Sequence, residues 1–567
     1  MRATASYIGA GVIGGGGGET NLNLLTVTPN SATVGTVYNG SISGRTAGST
    51  LSLTGAGAAG LSVNSGTGAV TGTPSAAGAV NVVETLSGAV GSPRTSNGVV
   101  AVQALPTVYL PTSVGAPAIA IGVRRLVQGY SGPILQANKA DLSLFDVSGD
   151  AVANYAALDA FAGADLPQIA TAYDQSGNNR HLAQATAINR PIMDNWQIWG
   201  QHRAINLDSV ATFTLKKMLS PAGLNLSNRS YSIFAVVDPK AALAADYWWE
   251  FSSNVPAPLS TVFTRSTTPA KSVRTQYNVF GVTSGASARK YFQDDTLSSQ
   301  NAFAAGTVDA FRLGEQSNAG TSQSQNCYLA IVIYPTALSD ADAQLVIDAL
   351  KAMFDIPSYS AMTDQVVITG DSIVYGLAST TSQKNRNTPR ALNKNLPKTC
   401  AQLNFGNPSQ LFITGIQPNA ASREFAAVDT SKRYRILIDQ SGTNDFGVNG
   451  ATVGYGATLY AAKADYYAAA RAAGYTHIIA ATLLARGDTN WTSQSGQRWV
   501  EMLDYNSRVR ANTAGVDQVV DVANVPGMGF ADVNDTTKFQ DKLHPTGLGY
   551  ELLEPAYRAA VLAILNS

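Results

Sequence analysis

Three short polar segments in the last third of the chain carry residues that could catalyse acyl transfer. They are GDS (370–372), directly after the apolar run VVIT, GTND (442–445), after ILIDQS, and DKLHP (541–545), ahead of a final helical pattern. A serine hydroxyl is a weak nucleophile until a histidine removes its proton, and that histidine needs a carboxylate to fix its tautomer. The segments therefore predict Ser372 as nucleophile, His544 as base and Asp541 as the acid that orients it.

The same segments offer donors for the negative charge that forms on a carbonyl oxygen during acyl transfer. Ser372 stands at a strand-to-helix turn, where free backbone N–H groups point outward. The side-chain amide of Asn444 follows a strand and can donate to the same oxygen. Each segment alone is more often a simple turn, but the three together, in this order, are much less expected by chance. No G-x-S-x-G elbow competes for the nucleophile, which disfavours an ordinary α/β-hydrolase.

Strands and helices alternate over residues 358–567, and this alternation must position those segments. Buried strands are predicted at DQVVITG, RYRILIDQSG, THIIAATLLAR and VDQVVDVANV. Helical patterns lie between them, and a last helix, interrupted near Pro555, closes the chain. The order predicts a parallel sheet covered on both faces, with the active site outside the carboxyl ends of its strands. His477, inside a predicted strand, is interpreted as structural, and Asp445 as a brace of its loop.

GDSIVYG, SGTNDFG and DKLHPTGLGY resemble blocks I, III and V of the SGNH (GDSL-like) hydrolases, and DYNSRVR (504–510) resembles a helix of that family. Block II is matched less well, by ITGIQPNAAS. The resemblance spans nearly all of 365–567 and implies a three-layer α/β serine esterase with no cofactor. Carried over, it implies a Ser372–His544–Asp541 triad and an oxyanion hole formed by the backbone N–H groups of Ser372 and Gly415 and the Asn444 amide.

The chain before residue 358 is predicted to be β-rich. Residues 1–22 form a glycine-rich lead that orders only on a partner or stays a disordered tail. Residues 23–105 are short alternating runs separated by turns, as in a β-sandwich, and GLSVNSGTGAVTGTPSAAGAVNVVETLSG resembles the Ig-like spacers of bacterial surface and phage proteins. This segment is interpreted as a spacer.

Residues 106–357 are again mostly β in pattern and end in a helix, SDADAQLVIDALKAMF, with Ser339 as its N-cap. GVRRLVQGYSGPILQ (122–136) and TAYDQSGNNRHLAQATAINRPIM (171–193) resemble the jelly-roll domain of fungal α-L-arabinofuranosidase B, a laminin-G/concanavalin-like sandwich that recurs in phage tail proteins. The arabinofuranosidase relatives use two carboxylates, as nucleophile and acid. In this chain Glu250 is the nearest candidate for one of them. Glycan binding or scaffolding is favoured over glycosidase activity. Trp248 and Trp249 suit sugar stacking or, more simply, core packing.

Composition limits the classes of partner. Lys+Arg and Asp+Glu balance at 38 each, which gives no long-range attraction to nucleic acid or anionic membrane. No segment approaches the roughly 20 apolar residues of a membrane span, and the glycine-broken lead does not fit a signal peptide. Cys327 and Cys400 are expected to be separate buried thiols, and the four scattered histidines argue against a metal site.

The whole arrangement resembles a bacteriophage tail fibre or tailspike that removes acyl groups, expected to be O-acetyl, from host surface polysaccharide. The resemblance implies a homotrimer, attachment to other virion tail proteins through the lead, and action at the bacterial surface. The alternatives are a non-catalytic glycan-binding adhesin, a secreted bacterial carbohydrate esterase, and a lipase-like SGNH enzyme with an apolar rim.

Overall fold

The computed structural model describes residues 25–193 with gaps at 29–30, 34–37, 88–92, 104–107, 140–142, 149–157, 159 and 164–166. It also describes short segments between 203 and 313, and residues 327–567 without 377–391, 393–394, 489–490 and 492–493. The chain divides into two compact units, Met1–Pro106 and Thr107–Ser567. The predicted lead (1–22) and Trp248 lie outside the described residues.

The first unit contains two four-stranded sheets. Its strands are β1 (Thr26–Thr28), β2 (Ser31–Thr33), β3 (Tyr38–Ser43), β4 (Thr50–Thr54), β5 (Leu61–Val63), β6 (Ala69–Gly72), β7 (Gly78–Thr85) and β8 (Arg94–Gln103). The sheet orders are β1-β3-β6-β5 and β2-β8-β7-β4, with β2 and β8 parallel. Ile42 and Val70 from one sheet share a core with Leu51 and Val82 from the other. The two sheets therefore pack on each other, while the Ig-like assignment stays a prediction.

Antiparallel pairing dominates the central part of the chain. Its described strands are β9 (Ile119–Gly122), β10 (Pro133–Asn138), β11 (Leu144–Ser148), β12 (Gln168–Ala172), β13 (Leu182–Ala183), β14 (Ile192–Met193), β15 (Ile205–Asn206), β16 (Met218–Leu219), β17 (Leu226–Ser227), β18 (Tyr231–Asp238), β19 (Trp249–Ser252), β20 (Asn278–Ser284), β21 (Ala288–Gln293), β22 (Thr296–Asn301), β23 (Thr307–Val308), β24 (Ala310–Leu313) and β25 (Cys327–Tyr334). β18 lies between β20 and β25, and all residues of β18 and β25 are buried. The jelly-roll assignment stays a prediction.

A helix, α1 (Asp340–Phe354), follows the last central strand. The side chain of Ser339 accepts the N–H of Asp342 at 3.1 Å, which confirms the predicted N-cap. Val346, Ile347 and Leu350 on its buried face join the core of the central sheet.

The C-terminal part contains the predicted parallel sheet. Its strands are β26 (Asp364–Gly370), β27 (Cys400–Gly406), β28 (Arg435–Gln440), β29 (His477–Ala481) and β30 (Gln518–Val520), in the order β27-β26-β28-β29-β30. Four of these strands were predicted, and β27 is an addition. Since β26 lies between β27 and β28, the segments that follow these three strands meet at one edge of the sheet.

Helices cover this sheet: α2 (Ser372–Tyr375), α3 (Gln417–Asn419), α4 (Thr443–Asn449), α5 (Tyr455–Ala473), α6 (Gln497–Ala511) and α7 (Gly547–Leu565). The predicted interruption near Pro555 is wrong, because α7 continues through that residue. A proline removes one backbone donor from a helix. The neighbouring Leu553, Tyr557 and Val561 are fully buried, and their packing holds the helix together across the missing bond.

Both cysteines are free and buried, as predicted. Within the described residues, no helix is long and apolar enough to cross a membrane. The same residues contain no group of His, Cys, Asp and Glu side chains arranged to hold a metal ion.

Candidate active site

Ser372 is fixed at the carboxyl end of β26 by a tight turn. A Cβ atom on Gly370 would overlap the side chain of Val374 and the carbonyl of Gln440, so the turn needs glycine. The buried carboxylate of Asp371 caps α2 by accepting the N–H of Ile373 at 3.0 Å. These contacts leave the serine as the first residue of α2.

His544 connects Ser372 to Asp541. Its Nε2 lies 2.8 Å from Ser372 Oγ, and its Nδ1 lies 2.7 Å from Asp541 Oδ2. Ser372 is 6% exposed and His544 8% exposed, whereas the side chain of Asp541 is 47% exposed. Because a carboxylate only accepts hydrogen bonds, Nδ1 carries the ring proton and Nε2 is left to accept the serine proton. The structure thus brings together the three residues that the sequence singled out.

Asp541 and His544 belong to a closed turn, which we call the acid–base hairpin (residues 539–545). Phe539 and Pro545 form an antiparallel bridge, and the N–H of Gln540 donates to the carbonyl of His544 at 2.9 Å. Within the turn, Asp541 Oδ1 accepts the N–H of His544 at 2.8 Å. Hydrogen bonds within the turn therefore fix the acid relative to the base.

The protonation state of Asp541 follows from these bonds. Burial raises the pKa of its carboxyl, but the hydrogen bond and charge of His544 and the two backbone N–H donors of His544 and Leu543 outweigh burial and lower it. The group is consequently ionised at neutral pH, as the partner of an imidazolium must be.

The turn that follows β27 lies beside the serine. The N–H of Asn407 donates to the carbonyl of Gly370 at 3.0 Å, and Asn444 Nδ2 donates to the carbonyl of Gln410 at 3.0 Å. Asn444 stands in the first turn of α4, after β28. The segments after β27 and β28, the two strands that flank β26, thus form a polar rim beside the turn that carries Ser372.

Ser409 in that turn is a candidate donor that the sequence reasoning missed. It has a positive φ of 63°, a backbone conformation uncommon for residues other than glycine, and it is exposed. Neither its N–H nor that of Ser372 donates to another described residue. Both are therefore available to an oxyanion, together with the second proton of the Asn444 amide.

Gly415 is placed differently from the sequence prediction. It lies in a π-helical turn, Phe412–Ile416, and its N–H donates to the carbonyl of Leu411 at 3.1 Å. A donor already used inside a helix is not free for an oxyanion. The sequence does contain a signal for Ser409, the turn-forming segment GNPS (406–409). It indicates a turn at the end of a strand only once CAQLNFG is recognised as that strand.

Buried ionisable residues support the rim from behind. Asp445 accepts the N–H of Phe412 at 2.6 Å and the hydroxyl of Tyr455 at 3.3 Å, and burial raises the pKa of its carboxyl. Lys463 pairs with Asp439 at 2.5 Å in the interior, and burial lowers the pKa of the lysine. Asp445 thus joins α4 to the segment after β27 and does not reach outward, in keeping with a bracing role.

The other residues singled out from the sequence lie elsewhere. His477 begins β29 at the amino edge of the sheet, with its Nδ1 3.0 Å from Thr476 Oγ1 and its ring edge-on to Tyr434. Glu250 and Trp249 lie on β19 in the central sheet, where only their backbone is described.

No family model matches the sequence, and no curated protein matches it. Among solved structures, a GH54 α-L-arabinofuranosidase is 15% identical with a TM-score of 0.33, over 42% of this chain and 63% of that chain. This chain thus spans a little under two thirds of that structure. A GDSL-like lipase from Bacteroides thetaiotaomicron is 18% identical with a TM-score of 0.28, over 37% of this chain and 92% of the other. A putative lipolytic protein of the G-D-S-L family from Desulfitobacterium hafniense is 18% identical with a TM-score of 0.26, over 35% of this chain and 98% of the other. The sequence identities and TM-scores are low in all three comparisons.

Proposed function

We propose that the C-terminal part of this chain is a serine esterase that uses Ser372, His544 and Asp541. The observation that carries the proposal is the continuous chain of hydrogen bonds from Ser372 Oγ through the imidazole to the Asp541 carboxylate, with separations of 2.8 and 2.7 Å. Nucleophile, base and orienting acid within hydrogen-bond reach are the arrangement that acyl transfer requires.

The reaction follows from these contacts. Ser372 Oγ attacks the acyl carbonyl while its proton passes to His544 Nε2, and Asp541 stabilises the resulting imidazolium. His544 then returns the proton to the departing alcohol oxygen, which leaves an acyl-serine. Water, deprotonated by the same nitrogen, hydrolyses the acyl-serine and restores the hydroxyl.

The oxyanion in this reaction is stabilised by N–H donors of the rim. The donors are the backbone N–H groups of Ser372 and Ser409 and the side-chain amide of Asn444. Loss of one such donor typically slows acyl transfer about 10²–10³-fold. Ser409 replaces Gly415 in this scheme, because the N–H of Gly415 is bonded within its helix.

The substrate and setting extend the proposal further. The SGNH-like segments and the lectin-like and Ig-like resemblances of the preceding regions support an enzyme that removes O-acetyl groups from bacterial surface polysaccharide. In this proposal the chain is part of a homotrimeric phage tail fibre, attached to other tail proteins through residues 1–22. Secretion as an extracellular carbohydrate esterase is the alternative.

Acetate release tests the chemistry. Wild-type protein should hydrolyse p-nitrophenyl acetate and O-acetylated surface polysaccharide, and Ser372→Ala should abolish both activities while the melting temperature stays within a few degrees. Ser441→Ala is a poor control because that serine is buried beside Lys463, so the exposed Ser431 supplies the matched control, Ser431→Ala.

A binding-only adhesin gives the opposite result. If folded wild-type protein binds the polysaccharide but releases no acetate from either substrate, the esterase proposal is wrong and the adhesin takes its place. Equal rates in wild type and Ser372→Ala would also contradict the proposed nucleophile.

A further inference from the structure

A cavity of about 390 Å³ lies against the acid–base hairpin, outside the triad itself. Its polar lining comes from the hairpin itself and from two neighbouring segments: Asp488, Asn534, Thr536, Gln540, Asp541 and Lys542. Its size falls within the range of small-ligand sites, which is about 300–1,000 Å³. The role of Asp541 in the triad does not account for the other five side chains.

One wall of the cavity is held rigidly to the catalytic residues. Arg486 donates to both carboxylate oxygens of Asp488, at 2.7 and 2.6 Å, and also to the carbonyl of Thr443 at 3.0 Å. The N–H of Gly487 donates to the carbonyl of Lys542 at 2.8 Å. The wall therefore keeps a fixed position relative to both Asn444 and His544.

Another part of the lining presents polar groups that lack protein partners. The side chains of Asn534 and Thr536 are exposed and make no hydrogen bond to any described residue. Gln540 Oε1 is buried and accepts no hydrogen bond from the described residues. A ligand with hydroxyl groups can satisfy the exposed side chains of Asn534 and Thr536, whereas Gln540 Oε1 is too buried to contact it.

Position and charge narrow the class of ligand. His544 must give its proton to the departing oxygen, so the alcohol portion of an ester lies on the hairpin side of Ser372. The carboxylates of Asp488 and Asp541 are balanced by two cations, Lys542 and the Arg486 that is bonded to Asp488, so the cavity has no excess positive charge to favour an anionic group.

We infer that this cavity binds an uncharged sugar ring of the polysaccharide chain, next to the ring that carries the scissile acyl group. The inference rests on the proposed esterase function and makes it more specific, because it predicts neutral rather than acidic glycans as substrates. Asn534 and Thr536 contact the sugar hydroxyls, and the carboxylate of Asp488 accepts from them.

The ratio of two specificity constants tests the inference. The substrates are O-acetylated xylo- and manno-oligosaccharides, and p-nitrophenyl acetate, which is too small to reach the cavity. In Asn534→Ala and Thr536→Val, kcat/KM for the oligosaccharide divided by kcat/KM for the small ester should fall about fivefold to tenfold, which corresponds to one lost hydrogen bond. The exposed Thr430, before the amino end of β28, gives the matched control Thr430→Val, whose ratio should equal that of wild type.

The glycan charge provides a second comparison. Wild-type protein should deacetylate the neutral oligosaccharides faster than O-acetylated galacturonan oligosaccharides of equal length. An unchanged ratio in both variants, or a preference for the acidic substrate, overturns the inference while the small-ester rate leaves the esterase proposal intact.

Failure of the esterase itself is a separate outcome. If wild type hydrolyses neither ester, the proposed function is wrong, and the cavity is then tested by calorimetric titration of Ser372→Ala with deacetylated xylo- and manno-oligosaccharides. Binding that weakens in Thr536→Val supports the sugar site, and no binding overturns it.

Discussion

Two turns in the described part of the chain each contain an aspartate and a histidine, and the hydrogen-bond partners of these side chains differ between the turns. In the central region, Asp174 accepts the N–H groups of Ala120, Ser176 and Arg180 at 2.9, 2.9 and 3.0 Å. His181 Nδ1 accepts the backbone N–H of Asp174 at 3.0 Å, so the carboxylate and the ring are not paired with each other. This aspartate holds a loop against β9.

In the acid–base hairpin the carboxylate is bonded directly to the imidazole, and the other ring nitrogen reaches a serine from a distant element. Asp541 is half exposed, whereas Asp174 is buried. The comparison teaches that residue types near each other in sequence do not define a catalytic pair. A catalytic pair is defined by the hydrogen-bond partner of each atom. One nitrogen of the histidine ring must bind the carboxylate, and the other must be left free for a nucleophile.

The largest expected effect separates the two histidines. His544→Ala removes the base and should lower kcat/KM for p-nitrophenyl acetate about 10⁴-fold or more. His181→Ala should leave that rate at the wild-type value, since the central turn is not part of the proposed esterase site. Comparable losses in the two variants would contradict the distinction.

The next largest effect on the rate is expected for the aspartate of the acid–base hairpin. Asp541→Asn keeps the shape but cannot stabilise the imidazolium, and we expect a loss of about 10²–10⁴-fold in kcat. Asp348→Asn, at an exposed position of α1, is the control. A rate for Asp541→Asn within threefold of wild type would show that the histidine works without its acid.

The effects on stability should be in the opposite order, with a larger loss for a substitution of Asp174 than for one of Asp541. Asp174→Ala leaves three backbone N–H groups without their acceptor, and we expect it to lower the free energy of unfolding by about 3 kcal/mol. Denaturant unfolding measures this loss, and the activity of the remaining folded protein should be normal. A smaller effect for Asp174→Ala than for Asp541→Ala would contradict the assignment of roles.

The smallest expected effect concerns pH. The pKa of Asp541 in the folded protein lies below its ordinary value of 3.8. Its ionised form therefore adds stability above that value, and the contribution is lost as the pH falls through the lower folded pKa. The difference in melting temperature between wild type and Asp541→Asn should shrink below about pH 4, and a difference that grows there would contradict the sign.

Much of the C-terminal architecture could be predicted because its strands are continuous apolar runs. DQVVITG and THIIAAT are buried on both faces, and such runs stand out from the polar segments around them. β27 was missed because CAQLNFG carries Gln402 and Asn404 at alternate positions, as a loop or half-exposed strand would. In the structure both are buried, and Asn404 donates to the carbonyl of Val374 at 3.2 Å.

Because β27 was missed, one oxyanion donor of the candidate site was assigned to a different residue. Without β27, the turn at 407–410 had no strand before it, and Gly415 in the next glycine-containing segment was chosen instead. The positive φ of Ser409 could not be predicted, because it depends on tertiary bonds from Asn407 and Asn444 to their neighbours. Ser372, Asp541 and His544 could be predicted because each stands in a short segment next to a regular element.

The acid–base hairpin is closed by its own hydrogen bonds, while Ser372 belongs to another element. The triad therefore consists of two parts, each of which is ordered by local contacts. Tyr550, one turn into the helix that follows the hairpin, spaces these parts by donating its hydroxyl to the carbonyl of Ile373 at 2.6 Å. A change in the gap between hairpin and serine therefore alters the contact between His544 Nε2 and Ser372 Oγ while each part keeps its own internal bonds. For the proposed esterase, a shift of about 1 Å in that gap would cost roughly a hundredfold in rate, without unfolding of either part.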